Sequence, residues 1–128
     1  MNRIESLKSK TVLSITSGGG KYVFNDYKYI LTTDKKLYFI ATYTGNKEMI
    51  KEMNLKNSYK IIKKFNKKEY EELLNKIDLY LKDTDSITNK MYDAYFRINL
   101  NTERKINIIN DREKYNDIKN ILLGKEIL

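Results

Sequence analysis

The chain contains no cysteine, no histidine, no proline and no tryptophan, and only 5 glycines among its 128 residues. Without cysteine there is no disulfide framework, no thiolate nucleophile and no thiolate zinc site. Without histidine the commonest general base, the commonest metal ligand and the side chain best suited to sensing pH near neutrality are all missing. With no proline, and its one glycine cluster confined to residues 18–20, the sequence offers no Pro/Gly/Ser linker to divide it. We therefore read residues 1–128 as a single domain.

Long hydrophobic runs are absent too. The opening residues lack the apolar stretch of a signal peptide, and no window approaches the ~18 apolar residues of a membrane span. The expectation is a soluble cytoplasmic protein with no membrane partner. A hydrophobic fraction of 41% beside a charged fraction of 33% excludes a disordered chain.

Basic residues are abundant, and most of them are lysine. The formal net charge is +8. Residues 1–68 hold 15 Lys/Arg against 5 Asp/Glu, whereas residues 69–128 hold 10 against 12, so the basicity is an N-terminal property. Its densest point is Lys60, Lys63, Lys64, Lys67 and Lys68. Part of this bias, with 21 Lys to 4 Arg, 14 Asn and 16 Ile, reads as the product of an A/T-rich coding genome.

Alternation of period two marks strands over residues 11–16, 21–24, 27–31, 37–43, 59–65, 92–100 and 105–109. Residues 33–36 form the polar turn of a β-hairpin, and residues 47–56 fit one turn of helix ambiguously. In the strand over 59–65, Tyr59, Ile61, Lys63 and Phe65 are expected on one side. The clearest element is a helix over 67–82, with Tyr70, Leu73, Leu74, Ile77 and Leu81 on one stripe and Asn66 with Glu69 as a capping box. A last helix follows the cap Asp111 through Tyr115, Ile118, Ile121 and Leu122, with Gly124 as its C-terminal glycine. Residues 31–40 resemble residues 100–109, and each hairpin leads to a capped helix, which suggests two hairpin-plus-helix units, the first carrying an extra strand. The expected fold is α+β, a mainly antiparallel sheet with two amphipathic helices on one face.

Chemical motifs are scarce. Ser17-Gly18-Gly19-Gly20-Lys21 superficially suggests a phosphate loop, but position 15 is Ile, position 22 is Tyr and no helix follows, so it reads as a flexible turn. Asp93 with Glu103 and Lys105 mimics the acids and lysine of a metal-dependent nuclease. The hairpin reading places Asp93 and Glu103 at opposite ends of a strand, on the order of 25 Å apart at strand rise. The expectation is a non-enzyme with no catalytic residue, no metal site and no cofactor.

Charge and tyrosine remain. Lys67 and Lys68 occupy the positive end of a helix dipole, where each cation costs about 0.3 to 1 kcal/mol, so helix stability does not account for them. A bound anion would reverse that sign. Eleven tyrosines, six of them in the basic half, can stack bases or anchor a protein interface. The candidate anion- or partner-binding set is Tyr59, Lys60, Lys63, Lys64, Lys67 and Lys68. The reading these features favour is a non-catalytic binding or inhibitory protein that docks on a protein or nucleoprotein partner with an acidic surface. An inhibitor of a host nuclease or defence complex, carried by a mobile element, is one example. Direct nucleic-acid binding through the same lysines is the alternative, and a metal nuclease is the third.

Overall fold

The computed structural model describes residues 7–84, 87–88 and 95–125. It shows an α+β fold built on one sheet. The strands are β1 (Thr11–Gly19), β2 (Val23–Thr32), β3 (Lys36–Gly45), β4 (Ser58–Lys64), β5 (Ile87–Thr88), β6 (Tyr95–Asn101) and β7 (Lys105–Ile109). Their order across the sheet is β4-β3-β2-β1-β6-β7-β5. All pairings are antiparallel except the two-residue contact of β5 with β7.

Alternation sorts the side chains onto two faces. One cross-strand row is Leu37, Leu31, Leu13, Leu100 and Ile106, and the next is Phe39, Tyr29, Ile15, Ile98 and Ile108. These rows, apart from Phe39 at the end of the second, are the floor of the main core. Its roof is two helices, α2 (Lys67–Tyr80) and α3 (Arg112–Leu122); a short helix α1 (Lys47–Glu52), capped by Asn46, buries no residue.

The expected capping box of α2 is present, with Asn66 Oδ1 accepting from Glu69 N at 2.8 Å and Glu69 Oε1 accepting from Asn66 N at 2.9 Å. The helix lies across the strands. At its start Tyr70 Oη donates to the Thr32 carbonyl at 2.9 Å, at the β2–β3 turn. Past its end Arg104 Nη1, from the β6–β7 turn, donates to the Leu81 carbonyl at 2.6 Å. Its 14 residues span about 21 Å, close to the ~19 Å needed to cross five strands. The last helix returns the other way: Tyr115 packs on Phe96, and Gly124, past the C-cap, lies beside Lys63 of β4. Tyr80 Oη donates to Asp117 Oδ2 at 2.5 Å and ties the two helices together.

Three sequence expectations need adjustment. The first strand runs on through Gly18 and Gly19, and only Gly20, at φ 130, breaks it; a Cβ there would run into the Val23 carbonyl oxygen. Residues 23–32 then form one continuous strand rather than two. In β4 a register shift opposite Leu37/Tyr38 inserts an extra residue, so Tyr59 and Ile61 stay on the helix-free face while Ile62 and Phe65 join the helix-side core. Tyr92, Ala94 and Asp93 lie outside the described residues.

Both hairpin-plus-helix units are present, with the same pairing offset, Leu31 to Leu37 and Leu100 to Ile106. Their placement is not that of a rotational repeat. Strands β2 and β6 both run antiparallel to β1, hence parallel to each other, while their hairpin partners lie on opposite sides. Leu31 and Leu100 nevertheless share a face, since each pairs with Leu13. Exchanging left and right while keeping direction and face is a reflection, which no rotation of an L-chain produces. The turns differ accordingly: Lys35 sits at φ 65 in the first, and none of residues 102–104 has a positive φ.

Candidate binding surfaces

The structure divides the six candidate residues among four places. Tyr59 lies on the helix-free face, its ring 5.7 Å from that of Tyr38. Lys60 takes the opposite face, with Nζ 5.9 Å from the centre of the Phe39 ring. Half-buried Lys63 places Nζ 3.2 Å from where a Gly124 Cβ would stand, beside the C-terminal end of α3, where a cation complements the helix dipole. Lys64, Lys67 and Lys68 are exposed and stay together.

Those three have company that sequence reading missed. At the same end of the sheet the Thr33 amide donates to the Lys10 carbonyl at 2.8 Å, and the Phe65 amide donates to the Lys35 carbonyl at 2.9 Å. Lys36 pairs directly with Lys64 across the β3–β4 ladder. Three stretches of the chain thus bring Lys10, Lys35, Lys36, Lys64, Lys67 and Lys68 to one edge of the molecule. A like-charged pair directly opposite is itself destabilising.

Acidic compensation at this end is thin. Asp34 Oδ2 stands 3.6 Å from Lys36 Nζ, and Asp34 also accepts from the Thr32 hydroxyl, which holds its carboxyl below the usual range with help from Lys36 and Lys10. Glu69 is engaged by the Asn66 amide, and Glu71 and Glu72 lie further along the helix. Among the described residues no ion pair reaches Lys10, Lys35, Lys64, Lys67 or Lys68. The sequence signal for the extra lysines was the polar turn itself, but its proximity to residues 64–68 depends on how β4 pairs.

The helix-free face carries a second feature, a groove of about 440 Å³ over β3, β2, β1 and β6. Ser14, Thr16, Asp26, Lys28, Arg97 and Asn99 line it, with Ile30 and Ile40 at one side. Lys28 Nζ is 3.9 Å from Asp26 Oδ2. Its mixed charges make it a polar sheet face of the kind antiparallel sheets present to water.

Glu103 sits in the β6–β7 turn, as expected, where Arg104 is occupied in capping α2. Among the described residues no group of three acidic, histidine or cysteine side chains could hold a metal ion. Among the same residues, no helix is long and apolar enough to cross a membrane. Compared with protein-family models, curated proteins and solved structures, the chain matches none.

Proposed function

We propose that the protein is a non-catalytic binding or inhibitory protein of the cytoplasm that docks on the acidic surface of a protein or nucleoprotein partner. The observation that carries this reading is the convergence of Lys10, Lys35, Lys36, Lys64, Lys67 and Lys68 at one end of the sheet, where Asp34 is the one ion-paired acid among the described residues. Like charges held this close oppose folding, so their concentration is explained best by something negative that occupies the surface. Steering follows from the same field: a one-signed patch raises the rate of encounter with an oppositely charged partner and makes it salt-sensitive.

A tagged copy of the full chain is expected to recover a defined protein from lysate, and nuclease treatment is expected to leave that protein bound. Replacing Lys64, Lys67 and Lys68 together by Glu should abolish recovery. Recovery unchanged by the triple substitution would remove this reading.

Direct nucleic-acid binding is the second reading, favoured by one detail. The first two α2 residues are Lys67 and Lys68, and the capping box engages the amides of Asn66 and Glu69, leaving those of the two lysines for a phosphate. This reading predicts gel retardation of nucleic acid that weakens steeply with salt, and release of any captured protein by nuclease.

A further inference from the structure

The helices do not cover the whole of the sheet's apolar side. Beyond the two core rows, a third runs through Ala41, Tyr27, Ser17 and Phe96, and beside α3 it stands open as a cleft of about 380 Å³. Five aromatic rings wall it: Tyr27, Tyr29, Phe39, Phe96 and Tyr115. Tyr27 and Phe39 lie nearly parallel, 18° apart with centroids separated by 6.1 Å, and Tyr29 leans on Phe39 at 4.9 Å. Phe96 and Tyr115 form the facing wall, 5.2 Å apart. Only Tyr115 of the five is buried. Rings needed solely for the core would be covered; the other four are only partly buried and share a concave surface.

The rim is cationic. One stripe of α3 presents Arg112, Tyr115, Asn116 and Lys119 to the cleft, at the helical spacing of i, i+3, i+4 and i+7. Lys119 Nζ lies 5.8 Å from the centre of the Tyr115 ring, and neither Arg112 nor Lys119 forms an ion pair among the described residues. No acid lines the cleft.

Aromatic walls select a flat π-surface, and unpaired cations at the rim select an anion attached to it. A mixed polar occupant would find no carboxylate to receive its donors, and an aliphatic anion would leave the aligned ring planes without a stacking partner. We propose that this cleft binds a nucleobase together with its phosphate, the base lying along Tyr27 and Phe39 and the phosphate held by Arg112 or Lys119. A free nucleotide and an unpaired base of a single strand share this chemistry. The site is separate from the lysine-rich end and stands or falls independently of the docking function proposed above.

The test is a titration of the full chain followed by the ring resonances of its tyrosines and phenylalanines. The probes are AMP, a short oligothymidylate and ribose 5-phosphate. AMP or the oligonucleotide should shift the resonances of Tyr27, Tyr29, Phe39 and Phe96, and whichever binds more tightly identifies the source. Ribose 5-phosphate, lacking a ring to stack, should bind about tenfold or more weakly. The pair Arg112→Glu and Lys119→Glu, both on the helix surface, should weaken binding at least as much, and Phe39→Leu should remove the stacking contribution while keeping an apolar side chain. Absence of shifts at millimolar probe overturns the proposal. So does equal binding of ribose 5-phosphate, or undiminished binding by a folded Arg112→Glu/Lys119→Glu variant.

Discussion

Arg104 and Asp34 each act through a few polar contacts, and each yields a test. The Arg104 guanidinium donates to the carbonyls of Leu81, the C-cap of α2, and of Thr84, three residues further on, so one side chain holds the stretch that leaves the helix. Arg104→Ala should lower stability by about 1 kcal/mol in urea denaturation, the exposed position discounting a charged hydrogen bond, and Arg104→Lys should restore only part because an ammonium lacks the planar fork. Asp34 behaves differently because it titrates. Its folded-state pKa is lowered, chiefly by the Thr32 hydroxyl and then by Lys36 and Lys10. Its contribution is therefore present above the ordinary carboxylate range and is lost as pH falls through the depressed value. Asp34→Asn should flatten that part of the acid limb in denaturation midpoints measured against pH.

Elements differ in how much of them a sequence reveals, and the two ends of β4 and α2 show why. The start of α2 is legible because Asn66 and Glu69 are three residues apart and satisfy each other locally; Asn66→Ala is expected to cost about 1 kcal/mol, read from thermal or urea unfolding. Hairpin turns are legible for the same reason. The extra residue in β4 was not, since nothing within residues 58–64 records that Leu37 pairs with Lys63 while Tyr38 pairs with Ile61. That shift separates the candidate residues, sending Lys63 toward Gly124 and leaving Tyr59 on the other face. The basic end was half visible, through Lys64, Lys67 and Lys68, whereas Lys10, Lys35 and Lys36 reach it only by strand pairing. The aromatic cleft was invisible, because Tyr27 and Phe39 meet Phe96 and Tyr115 through a strand order that no local pattern encodes.

For the molecule as a whole, tyrosine governs the alkaline limit. Tyr80 is raised by burial and by its bond to Asp117, Tyr27 is pushed up to about 12 chiefly by its hydrogen bond with Tyr43, and Tyr29, Tyr70 and Tyr115 are raised by burial. Groups whose folded pKa exceeds the unfolded value stabilise fully below about pH 10 and lose that contribution as pH climbs through the folded values. Denaturation midpoints should therefore fall above about pH 10, and phenolate absorbance should show these tyrosines ionising together with unfolding rather than before it. Refolding should also lack the phase of tens of seconds that prolyl isomerisation causes, since the chain has no proline.

Strand β1 has one neighbour close in the chain and one far away: Leu13 pairs with Leu31, and also with Leu100. During translation the first ladder can close soon after residue 32 emerges, but the second must wait for residues 95–101. Until then the chain is a half-sheet whose strand β1 shows a bare flank beside Leu13 and Ile15, with neither β6 nor α3 yet in place. A second, completed chain nearby can lay its own β6–β7–α3 segment on that flank before the chain's own arrives, so the centre of the finished sheet is also the place where synthesis leaves the polypeptide most open to exchange.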